Sequence, residues 1–158
     1  MTAPLRIQFD VDCSAAHAFT TWTSRIAAWW PPDHTVSGDP EAVIVLEPGP
    51  GGRIYERSPL GLEHDWGTIT AWEPPWRLAY SWHLGRDRRE ATDVEIRFVS
   101  LEHGRARVEI EHRGWERLGE SANRPLIPPW RAAPRTMRIV VGSAELALAW
   151  CERARLTD

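Results

Sequence analysis

The 158-residue chain contains no lysine; all 19 of its basic residues are arginine. That excludes a Schiff-base lysine, a phosphate-loop lysine and a lysine general base. Cysteine is scarce: Cys13 and Cys151 cannot form a zinc site between them, and a disulfide framework is not expected in a chain of this length. There is no His-x-x-x-His pair and no Gly-x-Ser-x-Gly elbow, and His17, His34, His64, His83 and His103 are scattered, so no metal site and no cofactor is expected. Positive charge is not in excess either. The net charge is −3, which removes the usual driver of nucleic-acid binding. No apolar run is long enough to span a bilayer, and the first twelve residues lack a signal-peptide core. A cytoplasmic protein without nucleic-acid or membrane partners is the expectation.

What the chain does have is tryptophan, ten of them against two Tyr and three Phe. An indole offers a large apolar area with one N–H donor. Such residues either wall a cavity for an aromatic ligand or fill a core.

The periodicity predicts a strand over 5–11, where Leu5, Ile7, Phe9 and Val11 alternate with polar residues. Ser14 reads as the N-cap of a short helix over Ala15–Trp22. A second short helix, near Arg25–Trp30, is stopped by Pro31 and Pro32. The middle of the chain reads as successive strands over 41–47, 53–57, 65–73, 76–84, 93–98 and 105–112, joined by turns too short for helical crossovers. Short turns imply an antiparallel meander, and one apolar face per strand implies a sheet with one covered side. A long C-terminal helix, roughly 135–155, is expected to cover it after an irregular Pro-rich connection over 125–134.

Three stretches in register carry a resemblance: Gly51-Gly52-Arg53-Ile54-Tyr55-Glu56-Arg57, then Trp66 to Leu78 with its Ala71-Trp72-Glu73-Pro74-Pro75 core, then Glu111-His112-Arg113-Gly114-Trp115-Glu116-Arg117. Residues 5 to 120 resemble the START-like (SRPBCC) superfamily, and within it bacterial homologues of the C-terminal domain of the activator of heat-shock-protein-90 ATPase. The resemblance implies a single α+β domain over 1–158 with the helix-grip fold. In that fold a curved antiparallel sheet of about six to seven strands wraps a long C-terminal helix, and two short helices follow strand 1. It also implies a cavity between sheet and helix. Relatives carry a Gly-Trp pair near the C-terminus that this chain lacks, Gly142-Ser143 standing nearest.

From the alternation, Ile54, Tyr80, Trp82, Val94, Ile96, Val108 and Ile110 are expected to wall such a cavity, with Trp30 and Trp115 near its mouth. Trp29 would lie by the same mouth, and Trp76 would share the apolar face with Trp82. Glu56 and His112 are the polar candidates. His112 continues the inward series Ala106, Val108, Ile110, and Glu56 faces inward if Ile54 does. Together they could orient a ligand, act as an acid/base couple or form a structural ion pair. Trp66 and Trp72 are expected on the outer face, where they could mark a homodimer contact. His83 is placed at a polar position, and Arg86–Glu90 at a solvated hairpin tip. The first expectation for function is binding of a small hydrophobic molecule, with an aromatic one expected, and no reaction evident. The alternatives are a cyclase- or dehydratase-like enzyme using Glu56 and His112, and a module that binds a chaperone.

Overall fold

In the computed structural model the described residues are 4–30 and 35–118. Strand β1 (Leu5–Val11) leads into helices α1 (Ala15–Trp22) and α2 (Ile26–Trp29). Six strands follow: β2 (Val43–Leu46), β3 (Arg53–Arg57), β4 (Glu63–Glu73), β5 (Arg77–Trp82), β6 (Thr92–Ser100) and β7 (Ala106–Arg113). They form one curled, fully antiparallel seven-stranded sheet in the order β1-β7-β6-β5-β4-β3-β2. The hairpin turns force β2 to β7 to be neighbours. The two helices carry the chain from β1, beside β7, to the opposite edge. This is an α+β sheet of the helix-grip type. The helix expected over 135–155 and the connection over 125–134 lie outside the described residues.

Alternation fixes which face is covered. In β6, Thr92, Val94, Ile96 and Phe98 are buried between more open polar residues, and in β7 Ala106, Val108, Ile110 and His112 repeat the pattern. The register sets Ile96 opposite both Leu78 and Ile110, and Val94 opposite both Tyr80 and His112. Facing apolar pairs of this kind are the unit of sheet stability. Helix α1 buries Ala15, Ala18, Phe19 and Trp22, the i, i+3, i+4, i+7 stripe of an amphipathic helix, against the inner face. Phe19 meets Phe98 edge-on at 5.4 Å and Trp72 at 5.1 Å. The Ser14 hydroxyl accepts from the His17 N–H and caps the helix start.

Strand β4 departs from simple alternation. Its register shifts at Trp66, which falls between the residues paired with Ile54 and Tyr55, and again at Thr70. Each extra residue re-aims the side chains beyond it and tightens the curl. The expectation for Trp66 and Trp72 is therefore corrected. Trp66 is fully buried inside the sheet and Trp72 packs inward on Phe19. Gly67 lets β4 approach β5 closely, because a Cβ there would stand 2.0 Å from the Ser81 carbonyl oxygen.

Two further expectations are corrected. Trp76 lies in the turn before β5 and is 55% exposed, because the strand starts only at Arg77. His83 is buried rather than solvent-facing; its backbone N–H still donates to Trp66 O just beyond the end of β5. No helix among the described residues is long and apolar enough to cross a membrane.

Candidate functional site

The inner face carries two ionisable side chains with no exposed surface, Glu56 and His112, in different surroundings. Glu56, in β3, accepts from the backbone N–H groups of Val36 and Ser37, both at 2.7 Å, and from Trp66 Nε1 at 3.0 Å. It faces inward beside Ile54, as expected. Tyr55 faces outward and is buried under the Arg53 and Arg57 guanidiniums, which lie over its ring. Three donors converge on Glu56, so its carboxylate holds the 35–38 loop against the sheet.

His112, in β7, has one side-chain hydrogen bond. Its Nε2 lies 2.6 Å from Thr92 Oγ1, and the same hydroxyl donates to the Trp82 carbonyl oxygen at 3.2 Å. Trp115 packs on the imidazole at a 40° tilt with ring centroids 4.1 Å apart and returns its Nε1–H to the His112 carbonyl oxygen. Burial pushes the His112 pKa down to about 3, so the ring is neutral at physiological pH. Its Nδ1 is buried and has no hydrogen-bond partner among the described residues. Glu56 and His112 are not bonded to each other. Three strands separate β3 from β7, and each group has its own partners, so the ion pair considered from sequence is not formed.

Between them lies an indole cluster. Trp30, Trp66 and Trp82 are mutually 5.1–5.8 Å apart, and Tyr80 is 5.5 Å from Trp82. Burial raises the Tyr80 pKa despite a hydrogen bond from Trp22. Trp66 Nε1 is committed to Glu56, whereas Trp82 Nε1 is buried without a hydrogen-bond partner among the described residues. Ile54, Val94, Ile96, Val108 and Ile110 are all at most 3% exposed on the same face, and Trp115 is half-buried.

Sequence reasoning missed Thr92 and Trp66. Thr92 stands two residues before Val94, so extending the inward series by one step would have found it. Trp66 is hidden by the register shift. The outer face is different in kind. Its hollow of about 630 Å³ is lined by Arg6, Glu95, Arg97, Glu109, Glu111 and Arg113, whose charges largely pair among themselves. Among the described residues no three His, Cys, Asp or Glu side chains gather as a metal site would require.

Residues 12–132 match the family described as activator of Hsp90 ATPase homolog 1-like protein. The chain belongs to this family. Among solved structures, an anthrahydroquino-gamma-pyrone synthase is 31% identical, with 96% of each chain covered and a TM-score of 0.66. The self-sacrificing resistance protein CalC from Micromonospora echinospora is 22% identical over 97% of this chain and 94% of its own, with a TM-score of 0.64. An HSP90 activator from Plasmodium falciparum is 13% identical over 72% and 74%, with a TM-score of 0.52. The last two likenesses concern the fold alone. No curated protein matches the sequence. Glu56 and His112 both lie within the matched span.

Proposed function

We propose that the inner face binds a small, planar, polycyclic aromatic molecule with polar ring substituents. One observation carries the reading. His112 Nδ1 and Trp82 Nε1 are buried in an apolar wall and have no hydrogen-bond partner among the described residues. A buried unsatisfied polar atom costs about 1–3 kcal/mol, so two on one face are explained when a ligand supplies what the protein does not. The indoles and aliphatic residues would supply the rest. An aromatic ligand burying roughly 300 Å² gains about 7 kcal/mol at about 25 cal/mol per Å² before ordering costs. The similarity to a synthase of a fused aromatic pyrone supports the ligand class.

Intrinsic tryptophan fluorescence tests this directly. Titration with a panel of tricyclic aromatics is expected to give a saturable change at micromolar concentration, weakened about tenfold in Trp82→Phe, which keeps most of the apolar area and removes the N–H. No response to any member of the panel by folded protein would sink the reading.

A second reading is an enzyme that closes an aromatic ring, with His112 moving the proton. The imidazole is uncharged and so can accept a proton, but burial holds its pKa at about 3 and makes it a weak base unless a bound ligand raises that value. The 31% identical relative, itself a synthase, supports the enzyme reading. Glu56 has no part in it, because all its bonds are spent on the loop and Trp66. Turnover of a bound aromatic precursor that is lost in His112→Phe, with affinity largely kept, would distinguish enzyme from carrier. The chaperone-binding reading draws on the family description and on fold likeness alone.

A further inference from the structure

We infer that Thr92 is a positioning residue: it holds His112 as the Nε2–H tautomer, so that the bare Nδ1 accepts a hydrogen bond from a ligand hydroxyl while Trp82 Nε1–H donates to a ligand carbonyl. The inference rests on the binding reading above and deepens it, naming the ligand class as hydroxylated aromatic ketones or quinones.

The argument is a count of protons. A threonine hydroxyl has one hydrogen to donate, and a backbone carbonyl can only accept. Thr92 Oγ1 lies 3.2 Å from the Trp82 carbonyl oxygen, and in the inferred arrangement its hydrogen goes there. The lone pairs of the same oxygen then face His112 Nε2 at 2.6 Å, an attractive contact when that nitrogen carries the hydrogen. A neutral imidazole has one N–H, so Nδ1 is left with its lone pair. The Trp115 indole, packed on the ring and tied back to the His112 carbonyl, opposes a flip. The register builds the arrangement. Thr92 is directly opposite Trp82 in β5, and His112 is opposite Val94, two residues along β6 from Thr92. The site therefore offers one acceptor and one donor. A hydrocarbon would leave both unsatisfied, and a molecule with a hydroxyl and a carbonyl would satisfy both.

The test combines a spectroscopic signature with a matched ligand pair. In the full chain labelled with ¹⁵N-histidine, long-range ¹H–¹⁵N correlations are expected to show His112 protonated at Nε2 and bare at Nδ1, its resonances assigned by their loss in His112→Phe. Thr92→Ser, which keeps the hydroxyl, should keep the pattern, and Thr92→Val should lose it. The probes are 2-hydroxyanthraquinone and 2-methoxyanthraquinone, used below the pKa of the phenol. The hydroxyl compound is expected to bind the wild type and Thr92→Ser about tenfold more tightly than the ether, and Thr92→Val with little preference. If Thr92→Val does not fold, the wild-type tautomer and the Thr92→Ser ratio decide. A bare Nε2 in the wild type, or a hydroxyl preference unchanged in Thr92→Val, overturns the inference. Equal binding of both probes overturns it too, while leaving the pocket standing. Failure of both probes to bind the wild type instead overturns the binding reading, and the role given to Nδ1 with it.

Discussion

Glu56 and His112 are equally buried on one sheet face, yet their surroundings differ. Glu56 has three donors for its two oxygens: two are adjacent backbone amides, and the third is an indole on the next strand. Among the described residues His112 has one hydrogen-bond partner and one idle nitrogen, and the N–H of Trp82, two strands away in β5, is idle too. A buried polar group with every bond made belongs to the scaffold, because nothing is left for a ligand to satisfy. One left half-made is where an outside molecule can add free energy. From sequence the two residues were candidates of the same rank, and their bonding separates them.

The sharpest way to break the comparison is to remove Glu56. Glu56→Ala strands two backbone N–H groups and the Trp66 N–H, and it frees the 35–38 loop. The expected cost is about 3–5 kcal/mol of unfolding free energy. His112→Phe, by contrast, removes one hydrogen bond and an idle buried nitrogen, and should cost no more than about 1.5 kcal/mol while abolishing the hydroxyl preference of the ligand site. Urea denaturation of both variants measures this. Equal losses would mean that His112, too, is scaffold.

Protonation separates the two groups by another route. The His112 pKa is about 3 in the folded chain against 6.5 for the free side chain. A folded pKa below the unfolded one means that the unfolded chain binds the proton first. The stability contributed by the neutral buried ring is fully present above about pH 6.5 and is lost as the pH falls toward 3, with a slope approaching about 1.4 kcal/mol per pH unit. Burial lowers the His83 pKa as well and adds to the trend, so the informative quantity is the difference between wild type and His112→Phe. Unfolding free energies at pH 7, 5 and 4 should converge or cross as the acid range is entered, because the variant has no imidazole to charge. Parallel curves would show that His112 is hydrated in the folded state.

Local patterns carried much of this into the sequence. Ser14 followed by the Ala15, Ala18, Phe19, Trp22 stripe marks α1, and strict alternation marks β6 and β7, because side-chain periodicity is a property of a few neighbouring residues. The inward direction of His112 followed from the same alternation. What was not legible depended on register. Trp66 and Trp72 were misplaced because two extra residues in β4 reset its phase, and nothing in a strand's own composition announces a bulge. Whether Glu56 met His112 was equally out of reach, since it depends on how far the sheet curls across the three strands between β3 and β7 and on which loop reaches the carboxylate. The exposure of Trp76 was a boundary error of one residue: the strand begins after the Pro74-Pro75 turn and not within it.

The smallest expected effect sharpens the comparison by asking whether donor number or burial makes Glu56 essential. Glu95, on the outer face of β6, also has three partners, Arg77, Arg97 and Arg113. Partial burial pushes its pKa up, but the hydrogen bond and charge of Arg77, with the charge of Arg97, outweigh this and hold it below the usual carboxylate range. Its side chain keeps 13% of its exposure, and its partners keep between 36% and 61% of theirs, so water and salt screen every pair. Glu95→Gln should therefore cost under about 1 kcal/mol, and raising the ionic strength should shrink the difference from wild type further. Glu56→Gln places an amide NH₂ where a carboxylate oxygen accepts from N–H donors. It should cost about 2 kcal/mol or more, with little dependence on salt. Salt-dependent denaturation of the two Gln variants decides the matter. A Glu95 variant as damaging as the Glu56 variant would show that partner number alone sets the cost, and the inner face would lose its claim to be special.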